Sequence, residues 1–151
     1  MKGSVKAAGF TILLASLSLC AVSVQARDTT HYFPIKEAFE SDTDKGLEGD
    51  IKFYFGGQKH PSVAATLNRG IVTNKKTNAA NKSDHAACNR AMLSALVQLQ
   101  KAARNAGGNA VVNIESYYKK NVFRSNDQFE CHAGNIMAGV ALRGDIVRLK
   151  R

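Results

Sequence analysis

Between Ser83 and Ala106 the apolar or small side chains Cys88, Ala91, Met92, Ala95, Leu96, Leu99, Ala102, Ala103 and Ala106 recur at steps of three and four residues. That period gathers them on one stripe of an α-helix, and a helix with one apolar stripe has to bury it against another layer. Ser83 or Asp84 can cap its first turn, and Gly107-Gly108 supplies a residue free to take the left-handed conformation that ends it. Everything else in the chain has to provide a surface for this helix to lie on.

That surface reads as strands. Ile51, Phe53 and Phe55 alternate with Lys52 and Tyr54, the period of a half-buried strand, and Gly56-Gly57 ends it. A weaker strand is predicted over 63–73, with Gly70 as a bulge or kink, followed by a polar loop over 74–82. After the helix, Ala110, Val112 and Ile114 form one face of a strand that continues into Tyr117-Tyr118. Residues 121–130 read as a loop, and 136–149 as a last long strand that Gly144-Asp145 can bend. Ahead of all these, 27–31 reads as a flexible lead. Pro34 opens a short helix through Glu40, since proline is tolerated in a first turn. The order predicts an α+β fold: one main amphipathic helix packed on a largely antiparallel sheet, with a short N-terminal helix. The strand before the 121–130 loop and the last strand should pair antiparallel, because neighbours of that kind need no crossover.

A chain of 151 residues, 44% hydrophobic and 22% charged, has room for one domain with a core and is neither collagen-like nor disordered in composition. Its first 26 residues read as a cleaved secretory signal peptide: Lys2 and Lys6 precede an apolar run over 7–24, and Val24-Gln25-Ala26 suits the peptidase. The mature domain is then 27–151. Ser16, Ser18 and Ser23 interrupt the run, which argues against a retained membrane-spanning helix. Lipidation at Cys20 is disfavoured by Leu19, where a small residue is expected. Removing two lysines and no acid takes the formal charge from +9 to +7. A basic protein in the periplasm meets phospholipid head groups, lipopolysaccharide or peptidoglycan rather than nucleic acid. The cation pairs Lys75-Lys76 and Lys119-Lys120 read first as solvated faces.

Two cysteines remain in the mature chain, Cys88 at the start of the helix and Cys131 before the last strand, in a compartment that favours disulfides. A bridge would close a loop of about 44 residues, worth roughly 4 kcal/mol by chain entropy. The alternative is a metal site: His85 sits one turn from Cys88 and His132 follows Cys131. Cys2His2 is a set that zinc or another transition metal accepts. Adjacent Cys131 and His132 cannot easily face one ion, so the bridge is the expected reading, with no cofactor.

No catalytic constellation is visible. There is no phosphate-binding Gly-x-x-x-x-Gly-Lys run, no Gly-x-Ser-x-Gly elbow and no Cys-x-x-Cys. Asp42, Asp44, Glu48 and Asp50 lack the glycine and terminal glutamate of a calcium loop, and read as a solvated turn. The chain is therefore expected not to be an enzyme.

The segments Lys52-Phe53-Tyr54-Phe55-Gly56, the run from Gly107 through Ile114, Ser116-Tyr117-Tyr118-Lys119-Lys120 and the run from Met137 through Leu142 together resemble a group of small exported proteobacterial proteins. These are often labelled "excinuclease ATPase subunit", a label that the missing nucleotide-binding loop contradicts here. Residues 84–149 more distantly resemble the YbjQ-like heavy-metal-binding domains and the lipoprotein that senses envelope stress for the Rcs phosphorelay. In that sensor a cysteine at the helix start is bridged to one before the last strand, and Cys88 and Cys131 match those positions. Met137 stands where the sensor carries a further cysteine, which implies one bridge instead of two. The YbjQ likeness also implies that a homo-oligomer is open to this chain.

The function expected from all this is a non-enzymatic periplasmic module that binds another envelope protein or an anionic envelope component, through Tyr117, Tyr118, Lys119 and Lys120. The alternative is a metal-binding protein using His85, Cys88, Cys131 and His132.

Overall fold

The structure is a computed structural model that describes residue 3 and residues 26–41 and 46–150. The proposed signal peptide and Cys20 therefore lie outside the described residues, apart from Gly3 and Ala26. So do Asp42 and Asp44. The elements in chain order are β1 (Thr29–Pro34), α1 (Ile35–Glu40), β2 (Lys52–Phe55), β3 (Val63–Asn78), α2 (Asp84–Asn105), β4 (Ala110–Ser116), a 3-10 turn (Tyr118–Lys120), β5 (Gln128–Ala133) and β6 (Met137–Leu149). The fold is α+β, as the periodicities predict. Among the described residues no helix is long and apolar enough to cross a membrane.

The long β6 organises the sheet. Its residues 142–147 pair antiparallel with β4 and, at the same positions, antiparallel with β3, so these two strands flank it on opposite edges. Near its start β6 also pairs with β5, which carries β1, and β2 joins β4 in parallel, the one such pairing among the described residues. The expected antiparallel pairing of the strand after the helix with the last strand is present.

Helix α2 begins where Ser83 stops it, the hydroxyl accepting from the Ala86 N–H at 3.1 Å. It ends where Gly107 takes φ +73°. Gly108 then passes so close to β6 that a Cβ would stand 2.8 Å from Ile146 Cγ2 and 2.9 Å from the Val147 carbonyl. Most of the apolar stripe is buried: Cys88, Met92, Ala95, Leu96, Leu99 and Ala103 are inaccessible to solvent, against Val111, Ile114, Val140, Leu142 and Ile146 from the sheet, while Ala102 and Ala106 are half-buried at its end. Truncating one of the large ones, such as Leu96, to Ala would cost about 2–5 kcal/mol.

Three boundaries differ from the sequence reading, for one reason. The lead over 27–31 is in fact the start of β1, with Thr29–Pro34 paired to β5 from Ala133 back to Gln128. The polar loop begun at Asn74 is instead the second half of β3, where Asn74–Asn78 pair with Ala141–Met137. Residues 128–130 are strand where a loop is expected. Thr29–His31 and Asn74–Asn78 are polar and carry no periodic signal, and 128–130 offers only the single apolar position Phe129 before Cys131; in each case the partner strand decides. Backbone bonds to an already formed neighbour, which any side chain permits, hold the segment extended.

Candidate functional site

The two cysteines are joined: Cys88 and Cys131 form a disulfide with their Cα atoms 5.8 Å apart, and both residues are fully buried. It ties the first turns of α2 to β5. The alternative metal set is corrected by this bond, because both sulfurs are spent on each other and neither is a thiolate ligand. The histidines are not drawn to a common point either. His85 Nε2 lies 2.5 Å from Glu37 Oε2 on α1, whereas His132 sits 2.8 Å from Glu130 Oε1 and 3.2 Å from Asp28 Oδ1. Among the described residues no group of three or more His, Cys, Asp or Glu side chains is placed to hold a metal ion.

Tyr117, Tyr118, Lys119 and Lys120 do lie together, but three of them are already engaged. Arg143 stacks over the Tyr117 ring at 4.2 Å while its guanidinium donates to Glu115. That hydrogen bond, despite the opposing cost of desolvation, holds Arg143 more firmly protonated than a free guanidinium. Tyr118 stacks on His132 with 3.5 Å between ring centroids. Lys119 reaches Asp28 at 3.5 Å and also lies over Tyr118. The backbone turns through two consecutive left-handed residues, Lys119 at φ +49° and Lys120 at φ +67°. This region spends its aromatic and charged groups on holding β4, β5 and the N-terminal strand together.

Glu48 and Asp50 likewise serve structure. Arg104 donates to Asp50 at 2.6 and 2.7 Å and to Glu48 at 3.1 Å, clamping the end of α2 to the segment before β2. That contact lowers the Asp50 carboxyl below its ordinary range.

The flank of α2 away from the core is different. A depression there is lined by Lys75 and Lys76 from β3, Lys82 from the following turn, and Ala86, Asn89, Arg90, Leu93, Val97 and Lys101 from the helix, together with His85 and several small polar residues. None of the described lining residues is acidic. Among the described residues none of those five cations pairs with a carboxylate; Arg27, Arg104 and Arg143 do, while Lys52, Lys59, Arg69, Lys120, Arg124, Arg148 and Lys150, outside this flank, do not, so what sets the flank apart is that five cations line one depression. Asn89 adds a buried Oδ1 that has no hydrogen-bond partner.

The sequence carried a signal for this flank that the reading above did not use. Leu93 and Val97 are four residues apart and fall outside the core stripe, with Arg90 three residues before the first and Lys101 four after the second. Two leftover aliphatics bracketed by cations on one helix face mark a second, solvent-side stripe.

No family model matches the chain, and none of the curated proteins is similar to it.

Proposed function

We propose that the protein is a non-enzymatic, exported binding module that holds an anionic component of the cell envelope on the flank of α2. The observation that carries this reading is charge segregation. Five cations gather on one surface with no carboxylate among the described residues that line it, while the acids elsewhere are matched to partners. A depression lined by cations of one sign attracts an oppositely charged ligand. The disulfide suits an oxidising compartment and fits the periplasm. The resemblance to small exported proteins and to the envelope-stress sensor points the same way.

The test is sedimentation of the purified protein with isolated cell envelopes at low salt. Reversing Lys76, Lys82 and Arg90 to Glu should weaken binding at least tenfold while leaving the melting temperature within a degree or two, because exposed substitutions of this kind barely touch stability. Equal sedimentation of the reversed protein would reject the flank as the binding surface.

A further inference from the structure

The most exposed large apolar side chain described is Ile136, at 66%, and its neighbour Met137 is 46% exposed. Ile136 ends the turn that joins β5 to β6 and Met137 opens β6, and neither side chain is needed to hold the turn. The turn is closed by backbone alone, with Gly134 N–H donating to the Met137 carbonyl at 2.8 Å and Ala79 N–H donating to the Ile136 carbonyl at 2.7 Å. Two adjacent aliphatic side chains at a tip that polar residues could have formed are an apolar point aimed at solvent.

Cations stand beside that point. In the β3–β6 register Asn78 faces Met137 and Lys76 faces Gly139. Lys82 donates its backbone N–H to Ala79 and its ammonium to the Asn78 carbonyl at 3.1 Å. Both lysines are exposed. The carboxylates at this end of the molecule are already occupied: Asp84 by Arg27 and His31, Asp28 by Lys119 and His132. Arg27, ahead of β1, also lies here, its carbonyl 2.8 Å from where a Cβ on Gly134 would stand.

We infer that the Ile136–Met137 turn inserts into the headgroup and acyl boundary of an anionic lipid bilayer, with Lys76 and Lys82 against the phosphates. This rests on the anionic-component reading above and names that component. A glycan or a soluble polyanion offers charge but no hydrocarbon, and leaves the apolar tip in water. An interfacial bilayer surface satisfies both features at once, apolar side chains in the boundary layer and cations at the phosphate level.

The chain contains no Trp, so Ile136→Trp introduces a single reporter at the tip. With vesicles of phosphatidylethanolamine and phosphatidylglycerol, its emission should shift to the blue and be quenched by brominated acyl chains. The double substitution Ile136→Ser with Met137→Ser should weaken vesicle binding at least tenfold at an unchanged melting temperature. Three outcomes overturn the inference: no emission shift, vesicle binding indifferent to the double substitution, or equal binding to neutral phosphatidylcholine vesicles. Isolated envelopes separate the two levels of the argument. If they still bind in a manner dependent on Lys76 and Lys82 while the anionic vesicles do not, the lipid identification fails and the charge reading stands. If neither binds, both fail.

Discussion

Two clusters of basic side chains sit on this small domain, one around the 117–120 turn and the other along the flank of α2, and their surroundings are opposite. At the turn, Lys119 meets Asp28, Arg143 meets Glu115 and stacks on Tyr117, and Tyr118 stacks on a histidine that is itself paired with Glu130. On the flank, Lys75, Lys76, Lys82, Arg90 and Lys101 have no carboxylate partner among the described residues. From sequence the two look alike, since each contains a Lys-Lys pair and the first adds two tyrosines. The structure separates them by their surroundings: at the turn all but Lys120 are engaged with acids or aromatic rings, whereas the flank cations line a depression whose described lining holds no carboxylate.

The disulfide joins the two regions, since Cys88 lies on α2 and Cys131 on the strand that carries the paired cluster. Its removal should have the largest effect of any change considered. Cys88→Ser with Cys131→Ser releases the closed loop and should lower stability by about 4 kcal/mol, a fall in melting temperature on the order of 15 °C. Thermal unfolding followed by circular dichroism decides it, and a melt unchanged from the parent would show that packing alone holds α2 to β5.

A contrast between charge substitutions tests the comparison directly. Lys82→Glu should weaken envelope binding by several-fold and leave the melt where it was. Arg143→Ala should do the reverse, lowering the melting temperature by a few degrees because the largely buried Glu115 loses its partner, with binding unchanged. If both variants altered both properties, the division into a structural cluster and a binding cluster would be wrong.

How much of this was legible beforehand follows the strength of local signals. Helix α2 was readable because it has one buried and one exposed face, β2 from its alternation, and β4 and β6, buried on both faces over most of their length, from their apolar runs. Strand β1 and the second half of β3 were not, since Thr29-Thr30-His31 and Asn74 through Asn78 are polar throughout and are strands only by pairing to β5 and β6. For the candidate site, the cysteine pair was legible from number and compartment. The Lys75-Lys76 pair was visible, but nothing local distinguishes it from Lys119-Lys120. The difference lies in Asp28, which is far from Lys119 in the chain and reaches it only after β1 docks. Ile136 reads as the first residue of a strand and is instead the exposed tip of the turn before it.

Backbone conformation offers a smaller and more local test of the structural cluster. Lys120 holds φ +67°, a region that costs a residue with a Cβ about 1–2 kcal/mol. Lys120→Gly removes that cost, at some loss of chain entropy in the unfolded state, and should raise stability by up to about 1 kcal/mol. Chemical denaturation measures this through the midpoint. A drop in the midpoint would mean that the lysine side chain itself makes a stabilising contact.

The smallest effect concerns pH, at the junction where the N-terminal strand meets α2. Burial alone would raise the Asp84 carboxyl, but the guanidinium of Arg27 and the ring of His31 bonded to it outweigh that and hold it below its ordinary value. For a carboxyl lowered in the folded state, the stabilising contribution is complete above the unfolded value, about 3.9, and is lost as pH falls through the folded value. The gap between parent and Asp84→Asn, widest near neutrality, should therefore begin to close only as pH falls below about 4 and go on closing through the lower folded value. Denaturation midpoints taken from neutral pH down to pH 3 follow that gap. A gap that stayed constant with pH would assign the contribution of Asp84 to packing or hydrogen bonding that Asn does not reproduce, and not to its charge against Arg27.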